Sequence, residues 1–324
     1  MTYELNKDDY PSIFRLCQED EKVWRAMFPW RMRLLLRLMP KDLGRVQAMK
    51  KLIERRSRTL MPERVGIMEY VEDISKDEEH HVRVYESSDC WGFENIGTTM
   101  ASYLPPFIAG MCGALESLKG LERDWNAVET KCIGLGDPYC EFKLVPGEDS
   151  GLKDSLEKDT SVIERIHERL MDRLMGFLLY DKPLAERPRL GSDILLHPVG
   201  HAFGFPHLAG ERYRMALRMG GARAGKEVGK RLMEAGLGEH EAVKRVLHFL
   251  EYCKVGIITA DETITIRENC ESSYTKTFTT KRKEPSCFFT TGFLNGLFSA
   301  VKNQHIRETK CIAAGDPYCE LEIV

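Results

Sequence analysis

The chain has 324 residues, which at about 150 residues per domain is roughly two domains. Its 47 Lys and Arg against 50 Asp and Glu leave a net charge of −3. That excludes the basic face of a direct nucleic-acid binder and the polybasic patch of an acidic-membrane anchor. Apolar residues at 43% and charged residues at 30% exclude a disordered or fibrous chain, and no apolar run approaches the ~20 residues of a membrane span.

The N-terminus, MTYELNKDDYPSIF, has no apolar signal-peptide core, so a cytoplasmic protein is expected. The ten cysteines are then expected as thiols, metal ligands or redox groups before disulfides. An aromatic helix, Val23–Leu38 with Trp24, Phe28 and Trp30, comes first. Cys17 before it reads as core. Near Leu43–Leu60 an amphipathic helix carries Val46, Met49, Leu52 and Ile53 at helical spacing. Residues 64–90 read as a β-hairpin, with His80 and His81 in a charged, solvated turn. The helix over 105–118 begins on proline, which suits a first turn, and its Gly110 and Gly113 permit close approach of a backbone or ligand. Residues 129–145, ETKCIGLGDPYCEFKLV, read as two strands around a GDPYC turn, and the polar stretch 146–160 as a linker.

The second half opens with an amphipathic helix, Thr160–Tyr180, with Ile163, Ile166, Leu170, Leu174 and Phe177 on one side. A strand is expected at Asp193–His197. Residues 207–236 look helical but interrupted at Gly220, Gly221 and Gly225, read as packing or hinge positions, and Arg212, Arg214 and Arg218 read as a solvated helix face. His197, His201 and His207 are either a polar or metal cluster or ordinary loop histidines. A helix at Glu239–Tyr252 follows, with Ala242, Val243, Val246, Leu247 and Leu250 on its apolar face. Next come a hairpin over 254–270 and a proline-initiated helix over 285–300 with Gly292 and Gly296. Cys90 and Cys270 align as the ends of the two hairpins, and Cys253 reads as core.

Residues 308–324, ETKCIAAGDPYCELEIV, match 129–145 at twelve of seventeen positions. The chain therefore holds tandem copies of one domain: a divergent first copy over 1–145, a linker over 146–160 and a second copy over 161–324. Each copy is expected to be α+β, an antiparallel sheet packed with helices, and the pair to form an internal pseudo-dimer or a homodimer.

Within each repeat E-x2-C-x7-C is a metal-ligand spacing. Zinc takes four donors from Cys, His and carboxylate; Glu308, Cys311 and Cys319 supply three, and Cys287 at the helix start is the best fourth. The alternative is that these cysteines are small buried hydrophobes. The aromatics Phe288, Phe289 and Phe293 are either ligand contacts or core. No glycine-rich dinucleotide fingerprint or hydrolytic triad stands out, so catalysis is not the leading expectation.

The run ETKC…GDPYCEF, preceded by a C-F-x3-G-F-x2-G helix, resembles the 4-vinyl reductase domain family, strongly over 190–324 and more loosely over 40–145. That resemblance implies a ligand-binding α+β fold, shared with vesicle-tethering subunits and with bacterial sensors of phenols, and often described as hydrocarbon-binding. It implies a structural zinc on Cys287, Glu308, Cys311 and Cys319. In the first copy Glu129, Cys132 and Cys140 match, but Pro105 stands where Cys287 would, and Cys112 and Cys90 are out of register. The function implied is a small-molecule sensor for an apolar or aromatic ligand, with a possible protein partner. The alternatives are a thiol or zinc redox regulator and a tetrapyrrole vinyl reductase component. An arginine-free cavity would suggest a hydrocarbon or acyl chain, and a polar lining an aromatic acid or phenol.

Overall fold

The computed structural model describes residues 45–60, 65–100, 104–117, 120–121, 123–147, 160–191, 211–278 and 284–324. The expectations for Cys17, Val23–Leu38, most of the 146–160 linker, Asp193–His197 and the three histidines 197, 201 and 207 lie outside the described residues. The chain divides into two compact units. The first runs to Arg169 and takes in Arg187–Gly191; the second holds Leu170–Glu186 and the residues from Ser192. Among the described residues no helix is long and apolar enough to cross a membrane.

The first unit begins with α1 (Arg45–Leu60), which buries Ala48, Met49, Leu52 and Ile53 as its spacing predicts. The strands β1 (Ile67–Tyr70) and β2 (His80–Tyr85) form the hairpin, and β3 (Trp125–Lys131) and β4 (Cys140–Pro146) flank the GDPYC turn. The sheet order is β1-β2-β4-β3, antiparallel throughout. The helix α2 (Leu104–Ser117) adds Ile108, Met111 and Leu115 to the core. His80 is not solvated. Strand alternation sets it on the same inward face as Val82 and Val84, where it stacks on Trp125 at 5.2 Å and meets the Tyr70 hydroxyl at 2.9 Å. The loop 187–191 joins this unit because buried Glu86 accepts the N–H of Arg189 at 3.1 Å and of Leu190 at 2.9 Å.

The second unit repeats the sheet. Its strands are β5 (Ile257–Ala260), β6 (Thr263–Arg267), β7 (Ile306–Lys310) and β8 (Cys319–Ile323), ordered β5-β6-β8-β7 and again antiparallel. The helix α3 (Thr160–Tyr180) contributes Met171, Phe177 and Leu178 to this core, while Leu170 faces solvent. The helix α4 (Glu211–Glu234) is continuous; its glycines do not interrupt it. The amphipathic α5 (Glu239–Tyr252) buries its five predicted positions. The short helix α6 (Cys270–Phe278) was not apparent from the sequence, and it is followed by α7 (Phe288–Lys302).

The glycines of α4 and α7 explain why α4 stays whole. A Cβ on Gly225 would lie 1.9 Å from the Phe293 carbonyl oxygen, and one on Gly296 would lie 2.0 Å from that of Ala222. Gly221 and Gly292 are similarly closed by backbone. At four-residue spacing these positions form one stripe on each helix, and the two stripes face each other backbone to backbone. Their smallness serves helix–helix approach. In the first unit Gly110 meets nothing within 4 Å among the described residues.

Candidate metal centres

A regular strand turns residues three apart to opposite faces, so E-x2-C cannot place both donors on one side of a plain β-strand. Each copy solves this with an extra residue. The ladder shifts between Glu129 and Lys131 and, identically, between Glu308 and Lys310, a bulge of the kind that re-aims side chains. Thr130 and Thr309 fill the bulges, their hydroxyls donating to the carbonyls of Glu141 at 3.2 Å and Glu320 at 3.3 Å. The chain then turns through a 3-10 segment, Ile133–Leu135 or Ile312–Ala314. Gly136 and Gly315 close it at φ 101° and 109°, a left-handed conformation that glycine adopts freely. Asp137 and Asp316 lock the turn by accepting the N–H of Cys132 and Cys311, each at 2.9 Å. The second cysteine of each motif returns on β4 or β8 beside the first.

In the second unit one donor atom from each of Cys287, Glu308, Cys311 and Cys319 lies within 4.8 Å of all the others. All four residues are buried. The sulfurs of Cys287 and Cys319 are 3.5 Å apart, close to the roughly 3.8 Å between sulfurs in a tetrahedral zinc thiolate site. Around them Asn269 donates to the Cys287 sulfur at 3.4 Å, Ser286 stands 3.4 Å from Cys311 and Ser272 stands 3.1 Å from Cys319.

In the first unit Glu129, Cys132 and Cys140 converge in the same way, and Cys90 joins them, all within 4.8 Å. Sulfur separations are 3.8 Å for Cys90–Cys132 and 3.3 Å for Cys90–Cys140. The sequence alignment of Cys90 with Cys270 is corrected by the hairpins. The N–H of Ser88 donates to the Val65 carbonyl and that of Cys270 to the Val255 carbonyl, both at 2.8 Å. Glu86 and Glu268 each have positive φ two residues earlier. Ser88 therefore corresponds to Cys270, and Cys90 to Ser272. Neither cysteine ends a strand: β2 stops at Tyr85 and β6 at Arg267. Cys270 and Cys253 are buried outside the clusters, with burial pushing both thiols up to about 12. Cys112 packs on Met49.

The donor chemistry fits a soft or borderline divalent cation. The Cys140 and Cys90 thiols hold Cys132 well below the usual thiol range, and Cys287 and Cys319 do the same for Cys311. Burial pushes the carboxyls of Glu129 and Glu308 up to about 9 and about 8. One oxygen of each, Oε1, is buried with no hydrogen-bond partner. An orphaned carboxylate oxygen beside three thiols is a costly arrangement unless a cation occupies the space between them. Three thiolates and one carboxylate would fill all four positions of a tetrahedral ion, leaving no open site for substrate.

The first turn of α7, which carries Cys287, is held from below by Glu271. This fully buried carboxyl accepts the N–H of Phe289 and Thr290, each at 2.9 Å, and the Thr290 hydroxyl at 2.7 Å. It satisfies donors that every helix N-terminus leaves open. Glu271→Ala is expected to cost about 2–3 kcal/mol in chemical denaturation; a change under about 0.5 kcal/mol would show that the cap is not needed.

A cavity of about 510 Å³ adjoins the second cluster, lined in part by Arg214, Arg218, Phe288, Thr291, Asn295 and Glu308. Arg214 and Arg218 thus face a hollow as well as solvent, with the Arg218 guanidinium 5.8 Å from the Phe288 ring centre. Of the three predicted ligand aromatics only Phe288 lines this cavity. Phe289 and Phe293 stack on each other at 6.0 Å, and their backbones meet the α4 glycines.

Residues 266–324 match the vinyl-4-reductase (4VR) domain family. An uncharacterised protein of Methanocaldococcus jannaschii is 38% identical over 116 residues, 34% of this chain and 61% of that protein; the match spans less than two thirds of that relative. Among solved structures, the phenol-responsive sensory domain of the transcription activator PoxR superposes with a TM-score of 0.33 at 16% identity, over 40% of this chain and 73% of that one. A vinyl-4-reductase family protein from Methanocaldococcus jannaschii gives 0.31 at 14% identity, over 52% and 97%.

Proposed function

We propose that this chain, whose residues 266–324 match the vinyl-4-reductase domain family, is a non-catalytic small-molecule-binding protein of the sensor type. A structural zinc on Cys287, Glu308, Cys311 and Cys319 braces its ligand site. The observation that carries this reading is the cavity of about 510 Å³ beside Glu308, within the 300–1,000 Å³ range of small-molecule sites. The zinc would tie the first turn of α7 to β7 and β8 and so fix one wall of the cavity. Glu308 belongs to both, since it lines the cavity and lies in the donor cluster.

The lining favours an aromatic acid or phenol over a plain hydrocarbon. Phe288 offers an apolar face, and Arg218 and Arg214 offer cations to an acidic oxygen. The test is thermal unfolding of the full chain with benzoate, phenol and decanoate. Benzoate or phenol is expected to raise the midpoint, and Arg218→Ala to weaken that ligand roughly tenfold or more. A shift with decanoate alone would replace this reading with an acyl-chain site.

A further inference from the structure

The geometry points to a second metal site in the first unit, closed by Cys90, Glu129, Cys132 and Cys140, that takes a zinc-class ion in tetrahedral coordination. It extends the reading of the second-unit cluster to a site whose fourth donor comes from a different element, and it stands or falls separately.

Three observations carry it. First, Cys90 replaces the thiol that the first copy lacks. The Cys287 position falls on Pro105, inside the first turn of α2, and no thiol lies there. The turn after β2 supplies one instead, at the position where the second unit has Ser272. The two side chains take the same place: Cys90 stands 3.3 Å from the Cys140 sulfur, and the Ser272 hydroxyl 3.1 Å from the Cys319 sulfur. Second, Glu129 Oε1 is buried without a partner, as Glu308 Oε1 is. Cys90, Cys132 and Cys140 are all fully buried, so this oxygen faces sulfur rather than water.

Third, the surroundings of Cys132 suit a thiolate. The N–H groups of Met100 at 3.3 Å and Gly134 at 3.4 Å donate to its sulfur, the outer-shell bonding that orients metal ligands. A Cβ on Gly134 would fall 2.4 Å from the Thr98 carbonyl oxygen, so the 98–100 segment is seated directly on the turn. The second copy has Ala313 there. Three soft donors and one carboxylate select zinc over hard cations. The ion would fasten the segment after β2 to β3 and β4 and leave the start of α2 without a metal anchor.

The test is metal content by plasma mass spectrometry on the full chain reconstituted with Zn²⁺ and desalted. Wild type is expected to hold about two ions per chain, Cys90→Ser about one, Cys287→Ser about one, and the double variant about none. Cys270→Ser, the residue the sequence alignment paired with Cys90, is expected to keep about two. Wild type with about one ion, lost in Cys287→Ser and kept in Cys90→Ser, would overturn this site and leave the second-unit reading intact. No ion in wild type would overturn both. Because Cys90→Ser could fail to fold, Co²⁺ titration of the unmutated chain gives an independent count. Thiolate-to-cobalt absorption that saturates at about two equivalents supports the site, and saturation at about one overturns it.

Discussion

Gly225→Ala is expected to destabilise the second unit by about 3–5 kcal/mol, although the same change in an unconstrained helix adds about 1 kcal/mol of stability. The new methyl carbon would stand 1.9 Å from the Phe293 carbonyl oxygen and 3.0 Å from the Leu297 nitrogen. Both are backbone atoms, so no side-chain rotation relieves the clash, and α4 and α7 must separate. The control is one turn away. Gly220 is exposed and meets nothing within 4 Å, so Gly220→Ala should stabilise by up to about 1 kcal/mol. Urea unfolding of both variants decides the matter: equal midpoints would show that the glycine stripe is not a tight seam. Separating the helices also displaces Phe288 and Gly292 from the cavity wall, so Gly225→Ala should lose ligand response along with stability.

Removing the metal is expected to have an effect of similar size. An ion held at a thousandfold excess over its dissociation constant adds about 4 kcal/mol to the folded state, and structural zinc sites often exceed that. Treatment of the full chain with a strong chelator should therefore lower its unfolding midpoint sharply. In the second unit amide exchange should rise first around Cys287 and the opening turn of α7. Metal binding must also compete with protons. Burial raises Glu308 to about 8 in the metal-free protein, so below that pH each ion that binds expels a proton from its carboxyl. Affinity then falls as pH falls. Glu308→Gln, which has no such proton to lose, should bind more weakly and show a shallower pH dependence. Chelation that leaves both midpoint and exchange unchanged would rule out a bracing ion.

The duplicated motif was the most legible part of the chain. Its twelve identities fix the same bulge, the same 3-10 turn and the same Asp lock in both units. The amphipathic helices were legible for the same reason, because α1 and α5 bury the positions that helical spacing selects. The missing fourth donor of the first copy was not legible. Alignment on helix glycines led to Pro105, whereas the thiol arrives from a turn whose register only backbone hydrogen bonds reveal. His80 was misread because a charged neighbourhood, KDEEHH, hid the strand alternation that turns it inward. The glycines of α4 read as breaks because the sequence does not show what faces them; against another backbone they are the condition for a straight helix.

The correspondence of Cys90 with Ser272 has a bearing on how such a domain can change. Two different segments of one fold reach the same cluster, so a chain with cysteine at both places would carry a spare sulfur. From that state either anchor can be discarded without the ion ever being lost. A single exchange of oxygen for sulfur at Ser272 would recreate it. Duplicated copies can thus drift apart in what the metal fastens, a helix in one and a turn in the other, while the shared turn that defines the motif stays unchanged.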